Sequence, residues 1–219
     1  MRFRKIVIFQ FRTFMRESLL VFLLVGLLFY SFINNEGLEE FLISEELFQF
    51  YSLFTMMLVG YAVVISVSFA GLLKRKTSKF YHLYLIFPEK PSRLLFAEIM
   101  PTFVVALTSA WGIGFILYSK APSPSPSWML IPVFGSALFV WGLGSLSLAL
   151  TLQVSNVRGL NAVLFLLLFV LARVPRYVVE NGAPLKMATA LLIAVSVFFA
   201  VTGSVTLEKV DPERVILSS

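Results

Sequence analysis

Apolar residues in this chain gather into long uninterrupted runs instead of alternating or recurring at helical spacing. Six runs read as spans: about Ser18 to Ile33, Phe48 to Leu73, Leu94 to Leu117, Trp128 to Gln153, Leu160 to Arg173 and Met187 to Val205. A bilayer interior offers no hydrogen-bond partners, so a spanning backbone must satisfy itself within helices or a closed barrel. Barrel strands would show alternating segments of about ten residues, and the sequence has none. The pattern predicts an all-α polytopic membrane protein, with six transmembrane helices over 18–205 and a polar tail over 206–219. Pro101 and the Gly112/Gly114 pair are expected to bend the third span.

The flanking segments add detail. In "MRFRKIVIFQFRTFMRE", residues 1–17, a helical wheel sets Arg2, Lys5, Arg12 and Arg16 on one side, with Phe3, Ile6, Val7, Phe11 and Phe14 broadly opposite. This predicts an N-terminal interfacial helix with its cations near anionic headgroups. A basic stretch before an apolar run also opens a signal peptide, but the following "NNEGLEE" lacks a small-x-small cleavage site, so the first span is expected to be retained. "APSPSPS", 121–127, reads as a short stiff connector, and "SNVRG", 155–159, as a tight turn. "RVPRYVVENGAPLK", 173–186, holds Pro175, Pro184 and Gly182 around an apolar Tyr177, Val178, Val179. Those three side chains are wasted in water, so the segment is expected to be re-entrant, dipping into the outer leaflet with the prolines and Gly182 reversing the chain.

Composition agrees with the runs. Hydrophobic residues make up 58% and charged residues 14%, with a mean hydropathy of +0.89. Soluble domains carry about a quarter charged residues. The net charge of +6 does not point to nucleic acid, because the cations follow the span pattern. Fourteen Lys and Arg lie in the N-terminal segment, loop 74–93, the 154–159 turn and the tail, against four at Lys120, Arg173, Arg176 and Lys186. Loop 34–46 holds five glutamates and no Lys or Arg. The basic excess predicts the cytoplasmic side, hence a multi-pass protein of the cell membrane with both termini cytoplasmic. No soluble domain is expected, since the longest extramembrane stretch has about twenty residues.

Reactive chemistry is sparse. The chain has no cysteine, so disulfides, thiolate nucleophiles and cysteine metal sites are excluded. Its single histidine, His82, falls in loop 74–93, which excludes a Ser-His dyad at membrane depth and a HExxH zinc site. Paired aspartates and a GxxxxGK[ST] phosphate loop are missing. Enzyme activity, a metal and a cofactor are therefore not expected of this chain. Within the spans, Glu98 lies about one turn inside the third and Arg173 near the outer end of the fifth. Ionisable groups inside a span mark ion paths, and their scarcity argues against a proton- or sodium-driven carrier.

Loop 74–93, "KRKTSKFYHLYLIFPEKPSR", is longer than a turn requires. Lys74, Arg75 and Lys76 follow the second span directly. Residues 78–88 can form a short helix with Phe80, Leu83, Tyr84 and Phe87 in one stripe, and Tyr81, His82 and Leu85 on other faces. Pro88 and Pro91 stop it, and Ser92 is placed to cap the third span. One stripe can rest on the interface while the other aromatics and cations stay available to a partner.

This layout resembles the integral membrane (permease) subunits of ATP-binding-cassette exporters of type-2 architecture. Pro88, Ser92, Arg93, Leu94 and Leu95 fit the family's proline, Ser-Arg, aliphatic opening of the third span. Lys79 and Phe80 stand where the family has Gly-Thr, and Glu98 where it commonly has lysine. "LSLALTLQVSNVRGLNAVLFLLLF", 146–169, is similar to the family's junction between spans four and five, and 173–186 to its re-entrant segment. The resemblance implies that 78–88 is a coupling helix, with Lys79, Phe80, Tyr81, His82, Tyr84, Leu85 and Phe87 entering a groove on a separate ATPase subunit. ATP and Mg would sit on that partner. It also implies a second permease subunit, identical or related, met by spans one and five, where Gly26 and Asn161 are the notable residues. Small residues at Ala62, Ser66 and Ala70 and at Ser145 and Ala149 allow close helix approach, which ordinary packing within the subunit also explains. Sparse charge in the spans favours hydrophobic or amphipathic cargo, a drug or lipid. The alternatives are a non-transporting membrane anchor or assembly subunit and, less favoured, a secondary carrier.

Overall fold

A computed structural model of the chain describes residues 3–17, 23, 25–27, 30, 42–67, 91–154, 156–182 and 184–210. Among these the protein is all-helical, with no strand. Seven α-helices follow one another: α1 (Phe3–Glu17), α2 (Glu45–Val67), α3 (Pro91–Lys120), α4 (Leu130–Gln153), α5 (Val157–Leu171), α6 (Val174–Glu180) and α7 (Leu185–Glu208). A single 3-10 turn, Pro126–Met129, leads into α4. Four helices, α2, α3, α4 with its leading turn, and α7, are long and apolar enough to cross a membrane. Most of the first predicted span lies outside the described residues.

α2 is the centre of the bundle. In its most apolar window 78% of the residues are buried, against 17% for α7. Ser44 caps it, accepting the Leu47 N–H at 3.3 Å, and Glu45 and Glu46 in the first turn complement the helix dipole. α3, α4, α5 and α7 all pack on it. Phe48 meets Tyr118, and a Cβ on Gly114 would lie 2.7 Å from Met56 Sδ, so α2 and α3 run antiparallel. Phe48 also meets Trp128 and Leu53 abuts Gly135, so α2 and α4 run parallel. The Ser196 hydroxyl donates to Met57 Sδ at 3.7 Å and Lys186 pairs with Glu46, which sets α7 parallel to both. This alternation of direction is what consecutive crossings require.

α3 begins at Pro91, a residue suited to a first helical position. Ser92, expected to cap this helix, is the second residue of it, with its side chain outside the described residues. The helix continues without interruption through Pro101, Gly112 and Gly114 for 30 residues. It leaves Phe96, Val104, Trp111 and Phe115 exposed along one stripe and buries Ala106, Ala110, Ile113 and Leu117 on the other. α1 packs on α3. Phe14 is buried and Phe11 half-buried, while Lys5 and Arg12 are exposed beside Ile8 and Phe9. A cationic and apolar outer face of this kind suits a lipid interface.

The tightest contact joins α4 and α7. A Cβ on Gly142 would collide with the backbone of Phe199 and Ala200, and one on Gly203 with the backbone of Gly142. Two glycines thus let the helix backbones touch. Trp141 locks the crossing: its indole N–H donates to Ser204 Oγ at 3.1 Å, and its ring lies 5.2 Å from Phe96 and 5.5 Å from Phe103. The small residues Ala62, Ser145 and Ala149 are buried inside the bundle, as packing within the subunit requires; Ala70 lies outside the described residues.

α5 is built differently. The Asn156 side chain caps it by accepting the Gly159 N–H at 3.0 Å. Its 15 residues span about 22 Å at 1.5 Å per residue, short of a hydrocarbon core of about 30 Å. The chain bends at Ala172 and Arg173 and continues as α6, where Pro175 occupies the first turn. The Asn181 amide donates to Tyr177 O at 2.8 Å, and Gly182 takes φ +62, a left-handed conformation that lets the chain turn into α7. The segment before Gly182, expected to be re-entrant, contains a short helix.

Candidate functional site

Residues 68–90, which include all seven candidate coupling residues (Lys79, Phe80, Tyr81, His82, Tyr84, Leu85 and Phe87), lie outside the described residues. The helices on either side of them are described. α2 ends at Val67 and α3 starts at Pro91, on the same end of an antiparallel pair. At that end Leu94, Leu95 and Ile99 of α3 form a buried cluster with Leu148 and Leu152 of α4 and Leu207 of α7. A load applied through the loop therefore meets three helices packed as one block. Glu98 is buried within the same stretch of α3, only 4% exposed.

The two candidate partner-facing residues differ in what surrounds them. Gly26 is exposed, and a Cβ there would meet nothing within 4 Å, so no neighbour among the described residues demands glycine. Asn161 sits in α5, with its side chain outside the described residues. Nothing in the described structure brings the two together. The helix that carries Asn161 is the least supported of the apolar helices. Its principal contact is with α2, where the Tyr61 hydroxyl donates to Leu164 O at 2.7 Å. Leu160, Leu164, Leu168 and Leu171 are half-buried at i, i+4, i+8 and i+11, whereas Val163, Phe165, Leu166, Leu167, Phe169 and Val170 are exposed. About two-thirds of its circumference is apolar surface that the other described residues leave uncovered.

At the end of the bundle where α2, α4 and α7 begin, a cavity of about 610 Å³ opens between them. Glu45, Glu46 and Gln49 of α2 form one wall, Lys186 and Thr189 of α7 another, and Ile131 and Ile193 contribute apolar surface. Lys186 Nζ lies 3.1 Å from Glu46 Oε1, and the Gln49 amide donates to Glu45 Oε1 at 3.0 Å. Among the described residues, no three His, Cys, Asp or Glu side chains cluster as metal ligands.

Two features escaped the sequence reading. The α4–α7 crossing is foreshadowed by Thr189, Ser196 and Gly203, small residues seven apart that are all buried on α7. The cavity has only a weak signal: polar residues at two span entrances that are far apart in sequence. Comparison with known proteins adds nothing to these observations: no protein-family model, curated protein or solved structure matches the chain.

Proposed function

We propose that this chain is the transmembrane subunit of an ATP-driven exporter. It forms half of a translocation pathway in the cell membrane and couples through loop 74–93, with its coupling helix at 78–88, to a separate ATPase subunit that carries ATP and Mg. Supporting this reading is the contrast between a closed block of α2, α3, α4 and α7, which receives both ends of the loop, and an outlying α5 whose apolar face is uncovered. A block rooted in this way can be moved as a unit, and an uncovered helix offers a seam to a second subunit. The sidedness proposed from the basic residues puts the loop and both termini in the cytoplasm and the cavity at the outer mouth. The amphipathic α1 then lies along the cytoplasmic interface, and the α6 turn belongs to the outer leaflet. Cargo of hydrophobic or amphipathic character agrees with spans that hold few ionisable groups.

Coexpression with a candidate ATP-binding-cassette ATPase subunit tests the proposal. A stoichiometric complex is expected, with ATP turnover that responds to the membrane subunit. Buried interface aromatics commonly cost about 2 kcal/mol or more on truncation, and rim charges little. Tyr81→Ala combined with Tyr84→Ala should therefore release or uncouple the ATPase, while Lys79→Ala changes little. A double variant that binds and couples like the parent would rule out the coupling role and leave a lipid-anchored loop. Copurification with a complex that lacks any ATPase would favour the anchor or assembly role.

A further inference from the structure

The cavity at the head of α2, α4 and α7 has the makings of a ligand site. Its volume of about 610 Å³ lies within the several hundred Å³ usual for small-molecule pockets. Its polar groups are unevenly satisfied. Lys186 is committed to Glu46 in a solvent-exposed pair at the rim. Glu45 receives one hydrogen bond, from the Gln49 amide, and no cation faces it among the described residues. The Gln49 carbonyl oxygen has no donor there either. Thr189 is the decisive residue. It lines the cavity, is only 6% exposed, and its hydroxyl has no hydrogen-bond partner among the described residues. Other hydroxyls on buried helix faces, such as Ser109, Thr151 and Ser196, bond back to a carbonyl one turn earlier. Among the described residues the unpaired hydroxyls sealed from solvent are those of Ser52 and Ser145, so the Thr189 oxygen instead opens onto the cavity, where a donor can reach it.

Three groups with acceptor capacity to spare thus line one cavity: the Glu45 carboxylate, Gln49 Oε1 and Thr189 Oγ1. A primary ammonium has three N–H donors and no acceptor. Ile131, Ala190 and Ile193 supply an apolar surface beside these acceptors. We infer that this cavity binds a primary alkylammonium amphiphile, with the ammonium held by Glu45, Gln49 and Thr189 and the alkyl chain against Ile131 and Ile193. The pair formed by Lys186 and Glu46 stands at the entrance and disfavours a second cation. The inference rests on the cavity alone and not on coupling to an ATPase, so it can be tested without one.

The test is calorimetric titration of the full chain in phosphatidylcholine nanodiscs, with empty discs subtracted. The probes are octylammonium, octyltrimethylammonium and octyl sulfate. Octylammonium should bind saturably at one site per chain, octyltrimethylammonium more weakly because it offers no N–H, and octyl sulfate not at all. A lost hydrogen bond of ordinary strength corresponds to about a fivefold loss of affinity, and that is expected for Glu45→Gln and for Thr189→Val. Lys186→Gln removes a repelling charge and should tighten octylammonium binding about twofold to fivefold. Glu45 is exposed, so its substitution leaves the fold intact and decides the matter should Thr189→Val fail to fold. Heats that match empty discs, equal binding of octyl sulfate, or an unchanged affinity in Glu45→Gln would each overturn the site.

Discussion

α5 and α7 are both apolar helices at the edge of the bundle, and they are attached in opposite ways. α7 meets α4 backbone to backbone through Gly142 and Gly203, is pinned by the bond from Trp141 to Ser204, and reaches α2 through Ser196 and Met57. Its exposed large apolar residues, Met187, Leu191, Val197, Phe198, Val201 and Val205, form a single stripe. α5 leans on α2 through a row of leucines and one tyrosine hydroxyl, and exposes most of its circumference. In lipid no hydrophobic force drives helices together, so association depends on close packing and interhelical hydrogen bonds. α7 has both in quantity and α5 has little of either. A helix held so weakly by the other described helices is the one expected to complete its packing elsewhere, and in our proposal the second permease subunit provides that.

Breaking the tight side should have the largest effect. Gly142→Leu drives a side chain into the α7 backbone, and a cost of at least about 3 kcal/mol is expected from overpacking that cannot relax. Denaturation in micelles would register it as a loss of the cooperative transition, and Gly203→Leu should behave alike. Breaking the loose side should cost less. Tyr61→Phe removes the hydroxyl that reaches Leu164 O, for about 1 kcal/mol. Its signature is local: hydrogen exchange should rise in α5 and stay unchanged in α4 and α7. Lys186→Met breaks an ion pair whose lysine is 82% exposed, and stability should stay within about 0.5 kcal/mol of the parent.

The same contrast explains what could be read from the chain beforehand. Helices α2, α3, α4 and α7 follow from their apolar runs, and Gly182 marks the turn because only a glycine enters φ +62 without strain. The amphipathic wheel of α1 matches in part: Phe14 is buried and Lys5 and Arg12 are exposed, but Gln10 is buried and Ile8 and Phe9 are exposed. The facing of each helix was not legible. In a soluble helix the buried side is apolar and the free side polar, but Phe198 and Phe139 are equally greasy although one is exposed and the other buried. Inside such helices the informative residues are the small and hydroxyl-bearing ones, and Thr189, Ser196 and Gly203 carry that information at a spacing of seven. The cap of α3 was misplaced at Ser92 because Pro91, taken as a stop for the preceding helix, instead opens the next one. The cavity was obscured because its acceptors come from positions 45–49 and 186–189, which are joined only by the parallel packing of α2 and α7.

Site-specific photo-crosslinking in native membranes most directly tests the claim that α5, and not α7, faces a second subunit. A benzophenone-bearing residue is placed at Leu166 on α5 or at Phe198 on α7, positions of nearly equal exposure at 65% and 64%. The probe reacts with whatever lies within reach, so an identical or a related partner chain is captured equally well. The expected result is a shifted polypeptide band from position 166 and lipid adducts alone from position 198. Polypeptide adducts at 198 with none at 166, or lipid adducts alone at both, would contradict the assignment of α5 to the subunit seam.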